Sequence, residues 1–344
     1  MRGRHPLGQL FLMRLRALWR EPSAIFWIFI FPMLISIALG LAFRNQSLAR
    51  LTVAVVDGPS FARVLPQLSS TQGLETQRLN LEDARRALAT GKVALVVVAE
   101  EPPRLLVDPG VPEGRTAKLL AVDALQRMAG RTDAIRLPEE HVSRPGGRYI
   151  DFLIPGLLGF GLMSSSVWGL GWGLVQMRMG KLLKRLVATP MRKSDLLLSF
   201  ILSRLLIAFI ETAFFLAFAR LLFSVRVAGS LPAFFLIAAA GALSFGGLGL
   251  LVASRAQNSE TAGGLMNAVT LPMMVLSGVF FSASHFPGWM QPWVKALPLT
   301  AVIDALRAVS IDGAALWTLG GPFLVLALWG VAGFAFSLRI FRWQ

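Results

Sequence analysis

Long runs with almost no charge divide the chain into candidate membrane spans. Five of them are plain, at residues 22–43, 150–177, 227–253, 261–281 and 313–338. Each can supply the ~20 apolar residues that cross about 30 Å of hydrocarbon at 1.5 Å per residue. A sixth stretch, 196–223, is interrupted by Arg204, Glu211 and Arg220, so hydropathy alone ranks it lowest. We count it as a span because without it the basic flanks fall on inconsistent sides of the membrane.

Basic residues at the ends of these runs orient the helices. Cytoplasmic loops hold the excess of lysine and arginine. The amino-terminal stretch and the connection 178–195 are both strongly basic, so we expect both in the cytoplasm. Six spans then place Arg255 and the tail 339–344 on the same side. The predicted fold is therefore an α-helical polytopic membrane protein with six transmembrane helices and both termini cytoplasmic.

Residues 1–21 precede the first span and have a helical pattern of their own. Leu7, Phe11, Leu15 and Leu18 recur at helical spacing, with the arginines expected on other faces. This pattern predicts an amphipathic helix in the cytoplasmic interface. The alternative is a cytoplasmic extension of the first span. Pro22 favours a break, because proline disfavours helix at the preceding residue and suits the first turn of a new helix.

Residues 44–148 have the pattern of a small α/β domain, which the topology places outside the cytoplasm. Strands are predicted at LTVAVVD, LETQRL and VALVVVAE, with helices at SFARVLPQLSS and LEDARRALATGK, and a further strand and helix follow. The runs VAVV and VALVVV are continuous rather than alternating, which is typical of strands covered on both faces. The predicted architecture is thus an α/β extracytoplasmic domain inserted after the first transmembrane helix.

Composition excludes several other functions. The 344 residues are 55% hydrophobic and 15% charged, against about 25% charged in ordinary soluble chains. The net charge of +15 belongs mostly to membrane edges that meet anionic lipid headgroups, so we expect no nucleic-acid partner. There is no cysteine, and the three histidines stand too far apart for a metal site.

No nucleotide-binding motif is found either. Around Gly180 and Lys181, the nearest approach to a P-loop, Val175 and Leu182 occupy the two required flanks. We therefore expect no bound cofactor and no catalysis in this chain. The first apolar run is also too long for a signal peptide and lacks a small-residue cleavage site.

Three segments resemble the ABC-2 type permeases of bacterial multidrug and related exporters. They are residues 20–43, 155–205 and 251–309, and the strings KRLVATP and LPMMVLSGVFF are the most specific. The resemblance implies an exporter subunit in a bacterial inner membrane that pairs with a second copy or a paralogue. ATP and Mg²⁺ would be bound by a separate ABC ATPase subunit, and the cargo would be drug-like, antibiotic or lipid-like. Residues 282–312 would form short external helices that dip into the outer leaflet.

The resemblance also makes the connection 178–195 the ATPase-coupling segment. Lys181, Lys184 and Arg185 share one helical face, and the opposite face is apolar. The candidate coupling residues are Lys181, Leu182, Lys184, Arg185, Leu186, Val187, Thr189 and Pro190. The alternative is a basic anchor that only fixes topology.

Two further features remain open. Arg204 and Glu211 lie two turns apart on one face of the predicted third span, where charges are costly and normally face the bundle interior. They either lock helices together or contact substrate. Glycines cluster at 169–173 and 246–249 and permit close helix approach, within one subunit, at a dimer seam or along a translocation path.

Two other functions compete with an ATP-driven permease. One is a secondary carrier driven by an ion gradient, which usually shows internal repeats that are not visible here. The other is a membrane-anchored receptor or assembly factor whose external domain binds a ligand, although a receptor does not need five further spans.

Overall fold

A computed structural model describes residues 6–43, 51–132, 147–182, 185, 193–256 and 258–340. The chain separates into two compact units, one made of residues 1–44 with 143–344 and the other of residues 45–142. We call them the membrane unit and the α/β unit.

The membrane unit begins with helix α1, Pro6–Trp19, followed by a nearly continuous helical run. That run consists of α2 (Pro22–Ile25), a π-helical turn (Phe26–Ile30) and α3 (Phe31–Ala42). The amide of Phe31 donates to the carbonyl of Phe26, one residue further back than in an α-helix. Pro32 follows immediately and has no N–H to donate, which accounts for the change of hydrogen-bond spacing at this point.

Burial in α1 differs from the sequence expectation at one residue. Leu10 is the most buried side chain of the helix, with Leu7, Phe11 and Arg14 partly buried beside it. The expectation that the arginines lie away from the apolar face is wrong for Arg14, because its position seven residues after Leu7 returns it to the same side. Its guanidinium stacks on Phe200, 2.9 Å from the ring centroid.

The α/β unit contains a four-stranded sheet in the order β2-β1-β3-β4. Its strands are β1 (Leu51–Val56), β2 (Leu74–Arg78), β3 (Leu95–Val98) and β4 (Arg104–Leu106). Strand β1 pairs in parallel with β2 and β3, while β4 is antiparallel to β3. The helices are α4 (Phe61–Ser69), α5 (Leu81–Ala89) and α6 (Pro112–Met128).

The helices of this unit cover both faces of the sheet. Val53, Val55 and Val97 pack with residues of α4 and α6. Ala54, Val56 and Val98 pack with residues of α5. Burial on both faces is the reason that the strands have continuous apolar sequences rather than alternating ones.

Long helices make up the rest of the membrane unit. They are α7 (Tyr149–Met179), α8 (Lys193–Phe223), α9 (Leu231–Arg255), α10 (Ser259–Leu276) and α13 (Gly320–Ile340). Between α10 and α13 lie a short 3-10 turn, Ala283–His285, and helices α11 (Gln291–Lys295) and α12 (Pro298–Ser310). Pro292 and Pro298 lie in the first turns of α11 and α12, where a missing N–H costs little.

Five helical stretches of the described chain are long and apolar enough to cross a membrane: Pro22–Ala42, Tyr149–Met179, Leu198–Phe223, Leu231–Arg255 and Leu316–Ile340. The expectation that 196–223 is the least apolar stretch is wrong, since Leu198–Phe223 is more apolar than Tyr149–Met179. Arg204, Glu211 and Arg220 are spaced so that an 18-residue stretch rich in leucine, isoleucine and phenylalanine holds at most two of them. The predicted span 261–281 corresponds to α10, which is not among the five. That helix has 18 residues and includes Glu260, Asn267 and Pro272.

Helices α7 and α9 lie at the centre of the membrane unit. In the most apolar 18-residue stretch of α7, 83% of the residues are buried, and in that of α9, 61% are. The corresponding share is 17% for both Pro22–Ala42 and Leu316–Ile340. Gly171 and Gly249 allow α7 and α9 to touch, and Gly247 and Gly333 do the same for α9 and α13. These glycines serve packing within the chain. At Gly169 and Gly173 a Cβ would meet nothing within 4 Å.

Candidate functional site

The predicted coupling segment follows the end of α7. Gly180 caps the helix, and Lys181 has a φ of 55°, so the chain leaves the axis of α7 at this point. Lys181 and Arg185 are exposed and Leu182 is partly buried. Lys184, Leu186, Val187, Thr189 and Pro190 lie outside the described residues. The two-faced arrangement of the segment therefore stays a prediction.

Arg178, at the start of this segment, binds the end of α9. Its guanidinium donates to the carbonyl oxygens of Ala253 at 2.9 Å and Ala256 at 2.8 Å. The last carbonyls of a helix lack partners within the helix and carry partial negative charge, so a cation placed there stabilises the end. The basic segment is thus tied to α9 through its first residue.

Arg204 and Glu211 form a buried ion pair in α8. Nη2 of Arg204 lies 3.3 Å from Oε2 of Glu211, and the two side chains are 3% and 4% exposed. The hydroxyl of Ser165, on α7, lies 2.9 Å from the same oxygen. Arg204 also donates to the carbonyl of Leu162 on α7 at 3.3 Å. The pair therefore connects α8 to α7, whatever further role it has.

The second carboxylate oxygen of Glu211 has different surroundings. Oε1 is buried and has no hydrogen-bond partner among the described residues. It lies beside Gly161, which lines a small crevice together with Glu211 and the apolar residues Ile28, Phe29, Pro32, Leu157, Leu158, Phe214 and Phe215. The free space of the crevice is about that of one water. The π-helical turn contributes Ile28 and Phe29 to its wall.

Arg307, on α12, joins three parts of the membrane unit. It donates to the carbonyls of Gly278 at 2.7 Å and Phe152 at 3.2 Å, and it stacks 3.4 Å from the centroid of the Phe152 ring. Burial lowers the pKa of Arg307 to about 10, and the charge of Asp304 only partly opposes this effect. The hydroxyl of Tyr149 adds a bond to the carbonyl of Phe280 at 3.0 Å. The start of α7 and the end of α10 are therefore held at α12.

Arg14 and Arg148 are two further arginines of the membrane unit with structural contacts. Burial lowers the pKa of Arg14 to about 9, and this guanidinium contacts the sulfur of Met177 at 3.6 Å. Arg148 pairs with Asp151 at 2.7 Å and donates to the carbonyl of Phe223 at the end of α8. Sequence reasoning used Arg14 only as part of the basic amino-terminal stretch, gave Arg148 no role, and missed these contacts. Arg14 lies inside α1 and Arg148 immediately precedes α7, so no local spacing indicated their partners.

In the α/β unit, the connections from β1 and β3 leave the sheet in opposite directions. Ligands of doubly wound sheets usually bind in the crevice between the carboxyl ends of two such strands. Here the amide of Ser60 donates to Ala99 and its hydroxyl donates to the carbonyl of Glu100 at 2.8 Å. A Cβ added at Gly58 would overlap the carbonyl oxygen of Ala99. The crevice is closed by the chain itself.

The sequence is similar to known transporter proteins. Residues 22–339 match the family described as ABC-2 family transporter protein. Over 190 residues, 54% of this chain, the sequence is 25% identical to ABC transporter G family member 20 of Dictyostelium discoideum. The chain spans about a quarter of that relative's length, 26%. Since the family match extends over most of the chain, the protein belongs to the ABC-2 family of transporter proteins, as a membrane component of an ABC transporter.

Proposed function

We propose that the chain is the permease of an ABC exporter in a bacterial inner membrane, and that a separate ABC ATPase subunit binds Mg²⁺ and ATP and drives it. The cargo is a drug-like, antibiotic or lipid-like molecule moved outward. The observation that carries this proposal is the family match over residues 22–339, which includes the basic segment 178–195. Hydrolysis in a soluble partner drives transport only if some element transmits its motion, and this segment is the candidate.

Helix α10 supplies the sixth span in this proposal. Its 18 residues extend about 27 Å, close to the thickness of the hydrocarbon core. With six spans, the basic residues around Lys181, Arg255 and Arg339 all face the cytoplasm, as the positive-inside rule requires. The α/β unit then lies outside.

The exposed face of α10 supports a second copy, or a paralogue, as partner. Asn267 is exposed in the middle of the helix, between the small residues Gly264 and Ala268. A polar amide facing lipid is unfavourable, whereas small residues with an amide are typical of helix contacts inside membranes. We therefore place the dimer contact on this face.

A receptor role for the α/β unit is the less favoured alternative. The crevice where such a sheet would bind a small ligand is closed by Ser60, Gly58 and Ala99. A secondary carrier is disfavoured by the lack of an internal sequence repeat.

The experiment that tests the proposal is coupling to an ATPase. The chain is co-expressed with a candidate ABC ATPase, and co-purification, ATP turnover and export are measured. Replacing Leu182, Leu186 and Val187 by serine keeps every positive charge, so insertion should be normal. It removes the apolar face that would enter a groove on the ATPase, so co-purification and export should be lost.

The matched control changes Lys184 and Arg185 to glutamine. This variant should bind the ATPase better than the serine variant does, because exposed ion pairs contribute less than about 1 kcal/mol each. If the serine variant co-purifies with the ATPase and exports normally, the segment is only an anchor. If wild-type protein never stimulates an ATPase, the proposal fails as a whole.

A further inference from the structure

The two oxygens of Glu211 have separate surroundings, which suggests separate roles. Oε2 contacts Arg204 and Ser165, while Oε1 has no partner among the described residues and lies beside Gly161 in the wall of the crevice. We propose that Oε1 is the acceptor of a binding site, within the membrane, for the hydroxyl group of a lipophilic molecule. This site goes beyond the proposed function, because binding there requires no ATPase.

The shape of the crevice favours one small donor group. Its free space is about that of one water, the size of a hydroxyl. Gly161 provides that room, since a Cβ at this position would lie 2.8 Å from Oε1. The site is therefore built by a glycine on α7 and a carboxylate on α8.

The charge balance favours a neutral donor over a cation. Arg204 already neutralises Glu211, so a second cation would leave a net positive charge in an apolar region. An ionised carboxylate can only accept hydrogen bonds, and a hydroxyl can donate one without adding charge. The chemistry that fits is a single O–H group.

The remaining walls indicate what the hydroxyl is attached to. Apart from Glu211, every lining residue is apolar. Phe214, one of the lining residues, is 46% exposed. It belongs to α8, in whose most apolar 18-residue stretch only 28% of the residues are buried. Glu211 lies about midway along the apolar stretch Leu198–Phe223, far from either membrane surface. A molecule reaching the crevice therefore comes through the hydrocarbon, with its apolar part beside Phe214.

The test is photolabelling of the purified full-length protein in lipid nanodiscs. The probe is 1-octanol with an aliphatic diazirine on its chain, and the control probe is the same diazirine on octane, without the hydroxyl. Mass spectrometry locates the adducts. We expect the alcohol to label residues 28–32 and 211–215 about tenfold more than the alkane does, the ratio given by one hydrogen bond worth about 1.4 kcal/mol. Unlabelled 1-octanol should compete, and octane should not.

Two glycine variants make the test specific. Gly161→Ala places a methyl group against Oε1, and labelling by the alcohol should fall to the level of the alkane. Gly169→Ala is the matched control on the same helix, because its methyl group meets nothing within 4 Å. If Gly161→Ala is not monodisperse, the competition in wild-type protein decides.

Each contrary result overturns the inference in its own way. Equal labelling by the two probes shows an apolar crevice without recognition of the hydroxyl. No labelling by the alcohol shows that Oε1 receives water only. Undiminished labelling in a folded Gly161→Ala variant places the bound alcohol elsewhere. None of these outcomes bears on ATPase coupling, so the two proposals can fail separately.

Discussion

Charged side chains are paired differently in the two units of the chain. In the α/β unit, Arg78 pairs with Asp57 and Arg104 with Glu100, and all four side chains are about half exposed or more. In the membrane unit, Arg178 and Arg307 donate to main-chain carbonyls, and Arg204 pairs with Glu211 almost fully buried. The first unit keeps its charges in solvent, while the second uses them to connect helices.

The difference follows from the solvent available to each charge. A charge at a water-exposed surface is solvated with or without a partner, so its ion pair adds little stability. A charge inside a membrane protein must be compensated by the protein, and removing its partner leaves an uncompensated group. Mutations at the two kinds of site should therefore differ greatly in effect.

The largest effect is expected at the buried pair. Arg204→Met leaves Glu211 with a buried negative charge, and breaking such a pair typically costs about 3–5 kcal/mol. We expect a strongly lowered melting temperature and poor recovery from detergent extraction, measured by fluorescence size-exclusion chromatography after heating.

The double variant Arg204→Met with Glu211→Leu is the matched comparison. It removes both charges and should recover much of the melting temperature lost in Arg204→Met, since buried pairs are often replaceable by apolar residues. A double variant whose loss equals the sum of the two single losses would mean that the residues act independently.

Much of the fold could be predicted from local patterns. The strands at VAVV and VALVVV follow from continuous apolar runs, and the helix break before Pro22 follows from proline geometry. The predicted span 261–281 extends five residues beyond the end of α10 at Leu276. Gly278, with a φ of 76°, lies just beyond that end.

The candidate site was less predictable. The depth of Arg204 and Glu211 follows from their position in an apolar run. The contacts of Glu211 with Ser165 and of Arg204 with Leu162 depend on how α7 packs against α8. The targets of Arg178 and Arg307 are main-chain carbonyls more than 25 residues away, which no local spacing reveals. Tertiary contacts of this kind require the structure.

An intermediate effect is expected at Arg307. Arg307→Gln removes a cation from the carbonyls of Gly278 and Phe152, and hydrogen bonds of charged donors contribute about 1.5–3 kcal/mol. The melting temperature should fall measurably, but less than for Arg204→Met. Arg220→Gln, which removes one charge from an exposed position, is the control and should change little. If Arg307→Gln and Arg220→Gln lower the melting temperature equally, the loss of one positive charge explains the effect, and the carbonyl contacts of Arg307 do not.

The smallest effect is expected at Arg78 in the α/β unit. Asp57 accepts two hydrogen bonds from Arg78, at 2.9 and 2.8 Å. These bonds and the charge of Asp57 raise the pKa of Arg78 above its ordinary value. Both side chains remain largely exposed, so water replaces the lost partner after mutation. Arg78→Gln should therefore leave resistance to limited proteolysis within residues 51–132 unchanged. Gly58→Val is the positive control, because its side chain would overlap the carbonyl of Ala99 and should expose this unit to cleavage. If Arg78→Gln is cleaved as fast as Gly58→Val, exposed pairs stabilise this unit as strongly as its packing does, and the contrast between the two units fails.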